Sequence, residues 1–253
     1  MSTDTPCREG HSPLVLNTPF NTACSVALPA LQGMRFQRTP DHVMLELPAT
    51  WRACGSAPLG GGMTRARSCC ILKVKESPYL PPTAYEPPEK TLATYCRKHG
   101  WKEPFIGMMT AASMKSCRIA TSNRNGITLV LVLTSGLSNA RRAGDKADFH
   151  PTAEATLPCG TINIIAATNA NLTDAAMIEA IMITTEAKAA VLEKLAVKSP
   201  VSGLIATGTG TDSVAIACGE GPPLRWCGKH VPFGEMLAKT VIEALEMSLM
   251  WRT

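Results

Sequence analysis

The sequence predicts an α+β fold: a single domain of largely antiparallel or mixed β-sheet with two long helices packed on it. Three observations carry this. Short β-branched or apolar runs bounded by Pro, Gly or Asn fill the first two thirds of the chain. Two long helical stretches come late and flank a last pair of strand-like runs. A strict alternation of strand and helix, the mark of a wholly parallel sheet, is missing. The chain has 253 residues, 45% of them apolar and 18% charged, which suits one domain with a sizeable core. Residues 1–12 read as a loose tail, and with no internal repeat or linker residues 13–253 form one domain.

"TACSVALP", "DHVMLELP" and "RSCCILKVK" supply the first strands. "ESPYLPPTAYEPPEK", residues 76–90, holds five prolines and predicts an extended surface loop. "KTLATYCRKHG" can form a short helix with Gly100 as its stop. "PFIGMMTA", "CRIATS" and "GITLVLVLTS" are strands again, and Asn125-Gly126 marks a tight hairpin between the last two. A polar loop over 136–158 leads to the strongly apolar strand "GTINIIAATNA". Thr173 is a good N-cap for the clearest helix, with Asp174 at the positive end of its dipole. Positions 178, 181, 182, 185, 189, 192 and 196 form one mostly apolar stripe, the expected core face. "SGLIATG" and "DSVAIAC" predict two further strands, and a last helix runs from about Phe233 to Met250.

Bulk properties exclude several function classes. The net charge of +5 is scattered, aromatics are few and no basic run exists, so no nucleic-acid partner is expected. No stretch approaches the roughly 18 consecutive apolar residues of a membrane span. The start "MSTDTPCREGHSPL" lacks an apolar signal core, so the expectation is a cytoplasmic protein with no membrane partner. None of the ten cysteines forms a C-x-x-C pair, which argues against a thiolate zinc site, and no metal site is expected. Several cysteines lie in apolar runs and read as reduced, buried small hydrophobes.

Polar groups gather in five places beside apolar runs. "GSAPLGGGMTRAR" carries Gly60, Gly61 and Gly62, whose backbone N–H groups can approach a ligand, though a plain turn explains them equally well. "TSGLSNARRAGD" ends a strand with Ser138, Asn139 and Asp145. "GTINIIAATNANLTDAA" puts Thr161 and Asn163 in an apolar strand, where backbone partners are the ordinary explanation. Glu179, Glu186 and Glu193 line one edge of the long helix, and Glu186 is the one best placed to turn toward a pocket. "ATGTGTD" brings Thr209, Thr211 and Asp212 to a glycine turn, and "CGKH" sets Lys229 and His230 before a helix N-terminus. Neither a Walker loop nor a dinucleotide fingerprint is present, which argues against a nucleotide binder.

Seven segments in order, "GSAPLGGG", "GLSNARRAGD", "GTINII", "LTDAA", "TEAKAA", "ATGTGTD" and "CGKH", resemble the adenosylcobinamide amidohydrolases of cobamide salvage over roughly residues 50–245. The resemblance implies hydrolysis of the amide joining aminopropanol to the corrin ring's propionyl side chain, giving adenosylcobyric acid. The only partner implied is a corrinoid; no cofactor is required, since the cobalt belongs to the substrate, and a homo-oligomer stays open. The alternative is a corrinoid-binding protein without catalysis. Amide hydrolysis needs an attacking group, donors for the oxyanion and an acid for the leaving amine. In one route Asp212 or Glu186 activates water and His230 protonates the amine. In the other Thr161 is the nucleophile, on a strand similar to the nucleophile strand of ornithine acetyltransferases. Ser138, Asn139 and the glycines at 60–62 are candidates for the substrate's peripheral amides, with Asn163, Thr209, Thr211 and Lys229 as further polar lining.

Overall fold

A computed structural model of the chain describes residues 14–16, 24–28, 32–74, 86–147 and 160–250, the first two stretches by their backbone alone. The elements are β1 (Leu14–Leu16), β2 (Cys24–Leu28), β3 (Met34–Arg38), β4 (His42–Gly55), β5 (Gly62–Lys73), α1 (Pro88–Lys98), β6 (Phe105–Thr110), β7 (Arg118–Arg124), β8 (Ile127–Ser135), β9 (Ala140–Arg141), β10 (Ile162–Thr168), β11 (Asn171–Leu172), α2 (Asp174–Lys194), β12 (Gly208–Thr209), β13 (Ser213–Cys218), β14 (Pro223–Leu224) and α3 (Pro232–Leu249). Ten strands share one mixed sheet in the order β1-β7-β8-β10-β13-β4-β3-β2, with β5 on β4 and β6 on β5. The α+β expectation holds. Within this sheet two pairs are parallel, β10 with β13 and β5 with β6, and α2 is the crossover between β10 and β13.

The sheet is bent back on itself, and β4 makes the bend. Its residues 43–46 pair with β3, its residues 52–55 pair with β13, and the register against β5 shifts between Glu46 and Trp51. Side-chain alternation then feeds three cores. Ile162, Ile164 and Ala166 of β10 face α2 and α3. Ile165 and Ala167 face the other leaf, where Ile71, Ile106 and Met108 meet them. The far side of that leaf gives Cys70, Leu72 and Phe105 to Leu92 and Cys96 of α1.

Local signals explain the element ends. Asn125 and Gly126 both have positive φ, 52° and 75°, so the β7–β8 hairpin is the tight turn that Asn-Gly favours. Thr173 Oγ1 accepts from the Ala176 N–H at 3.2 Å and caps α2. Gly100 ends the α1 segment with φ +67°.

Three expectations are corrected. The last residues of the proline-rich segment do not stay in a loop: Pro88 opens α1, where its missing N–H costs nothing. "SGLIATG" is not a strand, because a turn with Gly203 at φ +72° occupies it and only Gly208 enters β12. The core face of α2 is Ala176, Met177, Ala180, Ile183, Thr184, Ala187, Lys188, Val191 and Leu192. Of the seven stripe positions only Leu192 is buried, while Ile178 and Met182 point outward at 51% and 56% exposure. Apolar residues surround this helix, so spacing alone does not choose a face; the alanine-rich one lets helix and sheet approach closely. The tail 1–12 and residues 148–158 of the long polar loop lie outside the described residues.

Seven cysteines have their side chains described, and all seven are buried and unbridged. Burial pushes the thiols of Cys69 and Cys227 up to about 12. At the start of β4, His42 is 3% exposed beneath Tyr95, His99 and Trp101. Its Nδ1 lies 2.9 Å from the Tyr95 hydroxyl and 3.1 Å from that of Thr39, and its Nε2 has no hydrogen-bond partner among the described residues.

Candidate functional site

Antiparallel and parallel pairing bring four chain segments to one edge of the central sheet. β8 ends at Ser135, opposite Ile162 at the start of β10. β13 starts at Ser213 beside Asn163, and β4 ends at Gly55 opposite Ala215. The turns that follow or precede these residues therefore meet: 56–61, 136–139, 160–161 and 209–212.

Asp212 ties the edge together. Its Oδ1 accepts from the Ile162 N–H at 2.9 Å and the Thr209 hydroxyl at 2.5 Å. Its Oδ2 accepts from the Thr209 N–H at 2.9 Å and from the ammonium of Lys188 at 2.5 Å. Four donors thus occupy a carboxylate that is 10% exposed. The Thr161 hydroxyl, also buried, donates to the Thr211 carbonyl at 2.8 Å, and the Gly136 N–H donates to the Thr161 carbonyl at 3.0 Å.

Ser138 and Asn139 close over the start of β10. A Cβ on Gly160 would lie 2.8 Å from the backbone nitrogens of both and from the Ser138 hydroxyl. A Cβ on Gly210 would lie 2.6 Å from Asn139 Nδ2, and the Gly210 N–H donates to the Asn139 carbonyl at 3.0 Å. At Gly160 the neighbours include backbone atoms and only glycine fits; at Gly210 a side chain would push the Asn139 carboxamide aside. Among the described residues the Ser138 and Asn139 backbone N–H groups and the Asn139 carboxamide have no hydrogen-bond partner. The backbone donors pack around Gly160, the residue before Thr161, and with the Thr161 hydroxyl they make up the composition an amide-cleaving site needs.

Asn163 forms part of the floor. It is fully buried, its Nδ2 donates to the Met109 carbonyl at 2.7 Å, and its Oδ1 has no partner among the described residues. Ser56 Oγ accepts from the Val214 N–H at 3.2 Å and borders Ser213. The three glycines are near this edge but serve packing as well. A Cβ on Gly60 would meet the Phe105 carbonyl at 2.2 Å, and one on Gly61 the Ala57 carbonyl at 2.4 Å; only Gly62 faces open space.

The structure brings together Thr161, Asn163, Ser138, Asn139, Thr209, Thr211 and Asp212. It does not bring Glu186, Lys229 and His230 to them. Glu186 and Lys229 form an exposed ion pair on the outer side of the helical layer. His230 precedes α3, whose first turn lies by the β7–β8 hairpin: Arg124 pairs with Glu235 at 2.7 Å. α3 ends at the other side of the sheet, where Ser248 bonds Ser135 at 2.6 Å. α3 has 18 residues, about 27 Å at a rise of 1.5 Å per residue, and His230 stands before its N-terminal end while the Ser248–Ser135 contact is at its C-terminal end. Sequence reasoning missed Lys188, Gly160 and Gly210. Lys188 sits on the side of α2 that the chosen stripe assigned to solvent, and the two glycines show their purpose only when Ser138 and Asn139 are in place.

Among the described residues no group of three or more His, Cys, Asp or Glu can hold a metal ion, and no helix is long and apolar enough to cross a membrane.

Comparison with known proteins gives this edge its context. The sequence pattern of the family described as adenosylcobinamide amidohydrolase matches residues 28–252. An uncharacterized protein of Methanocaldococcus jannaschii is 38% identical over 162 residues, 57% of this chain and 64% of that protein, just under two thirds of its length. Adenosylcobinamide amidohydrolases of Methanosarcina mazei and Halobacterium salinarum are 28% and 30% identical, over 77% and 85% of this chain and 88% and 87% of theirs. The crystal structure of the PH0078 protein from Pyrococcus horikoshii aligns with 94% of this chain and 84% of its own, with a TM-score of 0.45 at 10% identity. By the span of the family match, which takes in every segment of the assembled edge, the chain belongs to the adenosylcobinamide amidohydrolase family.

Proposed function

We propose that the chain hydrolyses the amide joining aminopropanol to the propionyl side chain of adenosylcobinamide, releasing aminopropanol and adenosylcobyric acid. Family membership supports the substrate class. The observation that carries the chemistry is the Thr161 hydroxyl at the start of β10, directly after Gly160, against which the donors of Ser138 and Asn139 pack. In this reading Thr161 Oγ1 attacks the amide carbon, and the donors of Ser138 and Asn139 stabilise the oxyanion. The carbon–nitrogen bond then breaks, with the hydroxyl proton ending on the departing amine. Water cleaves the resulting ester to give the carboxylate and restore Thr161. Asp212 is disfavoured as the base for a water route because four donors already occupy its oxygens. His230 is disfavoured as the acid by its distance.

The test is mass spectrometry of corrinoid and protein after rapid acid quench. Wild type converts adenosylcobinamide without ATP and carries a transient corrinoid ester on the peptide that contains Thr161. Thr161→Ala loses turnover by about a thousandfold or more while still binding corrinoid, and Thr161→Ser keeps part of it. An active Thr161→Ala with no adduct would establish the water route instead. Unchanged substrate across pH and divalent metals would leave a corrinoid-binding protein.

A further inference from the structure

We infer that Lys188 is a positioning residue for the Thr161 edge, acting through Asp212; this rests on the reaction proposed above. Lys188 lies on the buried face of α2, and its side chain is 7% exposed. An ammonium withdrawn from water needs a compensating partner, and Asp212 Oδ2 at 2.5 Å is that partner. The pair is packed under Gly208, where a Cβ would come within 2.5 Å of Asp212 Oδ2 and 2.9 Å of Lys188 Nζ.

Asp212 converts this contact into geometry. Its Oδ1 holds the Ile162 N–H, one residue after Thr161, and both oxygens hold Thr209. One carboxylate therefore joins the start of β10, the turn before β13 and helix α2. Thr161 receives its orientation from the same turn, through its hydroxyl bond to the Thr211 carbonyl. With Lys188 removed, Asp212 is a buried charge facing only neutral donors. It gains by rotating toward water, and that change loosens the Ile162 and Thr209 bonds. Arginine keeps the charge and a reach to Asp212. Lys188 itself touches neither Thr161 nor the donors of Ser138 and Asn139 among the contacts of the described residues, so it acts through another group.

The experiment compares wild type with Lys188→Met, Lys188→Arg and the double variant Lys188→Met/Asp212→Asn. Two readouts are taken: amide hydrogen exchange at Ile162 and Thr209, without substrate, and kcat and KM for adenosylcobinamide. The expected result for Lys188→Met is exchange at both amides at least tenfold faster than wild type, and kcat about a hundredfold lower with KM within about threefold. Lys188→Arg recovers slow exchange and most of kcat. If Lys188→Met does not fold, the double variant, which buries no lone charge, is read in its place: it folds and stays slow. Wild-type exchange and kcat in Lys188→Met, or full kcat in the folded double variant, overturns the inference. Because exchange is read without substrate, a wild-type chain that leaves adenosylcobinamide intact overturns the proposed reaction while the exchange result still decides the anchor.

Discussion

Acidification between pH 7 and pH 5 tests the packing of His42. Burial lowers this imidazole from 6.5 to about 4; the charge of His99 adds to the shift and Asp41 opposes it. The groups that face it are the Tyr95 and Thr39 hydroxyls and the rings of His99 and Trp101, none of which accepts a proton from a charged imidazole as a carboxylate would. A depressed folded value means that the unfolded chain takes up the proton first. The stability contributed by neutral His42 is thus present above pH 6.5, falls as pH drops toward about 4 and is gone below that. At 1.36 kcal/mol per pKa unit the whole loss is about 3 kcal/mol, and about 2 kcal/mol of it is reached by pH 5. Glu46, lowered by Lys102 and Arg67 against the opposing effect of its own burial, releases its contribution only below the ordinary carboxylate range. Among the described residues Glu243, raised by burial and by Glu246, works in the opposite direction as pH falls, so the His42 contribution is read as the difference between wild type and variant. Urea unfolding of wild type and His42→Gln at pH 7, 6 and 5 measures it. The variant is less stable at pH 7, but its midpoint changes little toward pH 5, whereas the wild-type midpoint falls. Parallel pH profiles for the two proteins would refute the assignment.

The glycines give two further predictions. Gly61→Val sets a side chain 2.4 Å from the Ala57 carbonyl and should lower melting temperature and corrinoid binding together, whereas Gly62→Ala, strained only by its φ of +78°, should cost about 1 kcal/mol; paired thermal melts and titrations distinguish them, and equal tolerance of both would remove the packing argument. Gly210→Ala presses on Asn139 Nδ2 at 2.6 Å, so hydrolysis should fall at least tenfold with the melting temperature nearly kept, since the far end of a side chain can move aside; unchanged turnover would separate Asn139 from the chemistry.

Much of the fold was legible because single residues announce it. Asn125-Gly126, Thr173 and the run 127–135 each dictate local geometry without help from distant residues. α2 was legible as a helix but not as an orientation, because alanine, isoleucine and methionine occur on all its sides and the sheet selects the face. The bend in β4 was hidden for a similar reason: nothing in residues 47–50 says that one strand serves two leaves. At the site, Thr161, Asn139 and Asp212 were visible as polar groups in apolar surroundings. Their separation from His230 and Glu186 was not, since an imidazole 18 residues from Asp212 in sequence can lie at either end of the helix layer. Lys188 looked like a surface lysine until Asp212 was placed opposite it.

The seven buried thiols make the native state its own protecting group. While folded, Cys69 and Cys227 hold their protons up to about pH 12 and offer an oxidant almost no thiolate. Once unfolded, each returns to the reactivity of a free thiol, and ten cysteines in one chain offer many wrong bridges and few ways back. In air, loss of structure is then a one-way event whose rate is set by how often the molecule opens; with a reductant present it is an equilibrium. The durability of this protein is a matter of time as much as of free energy.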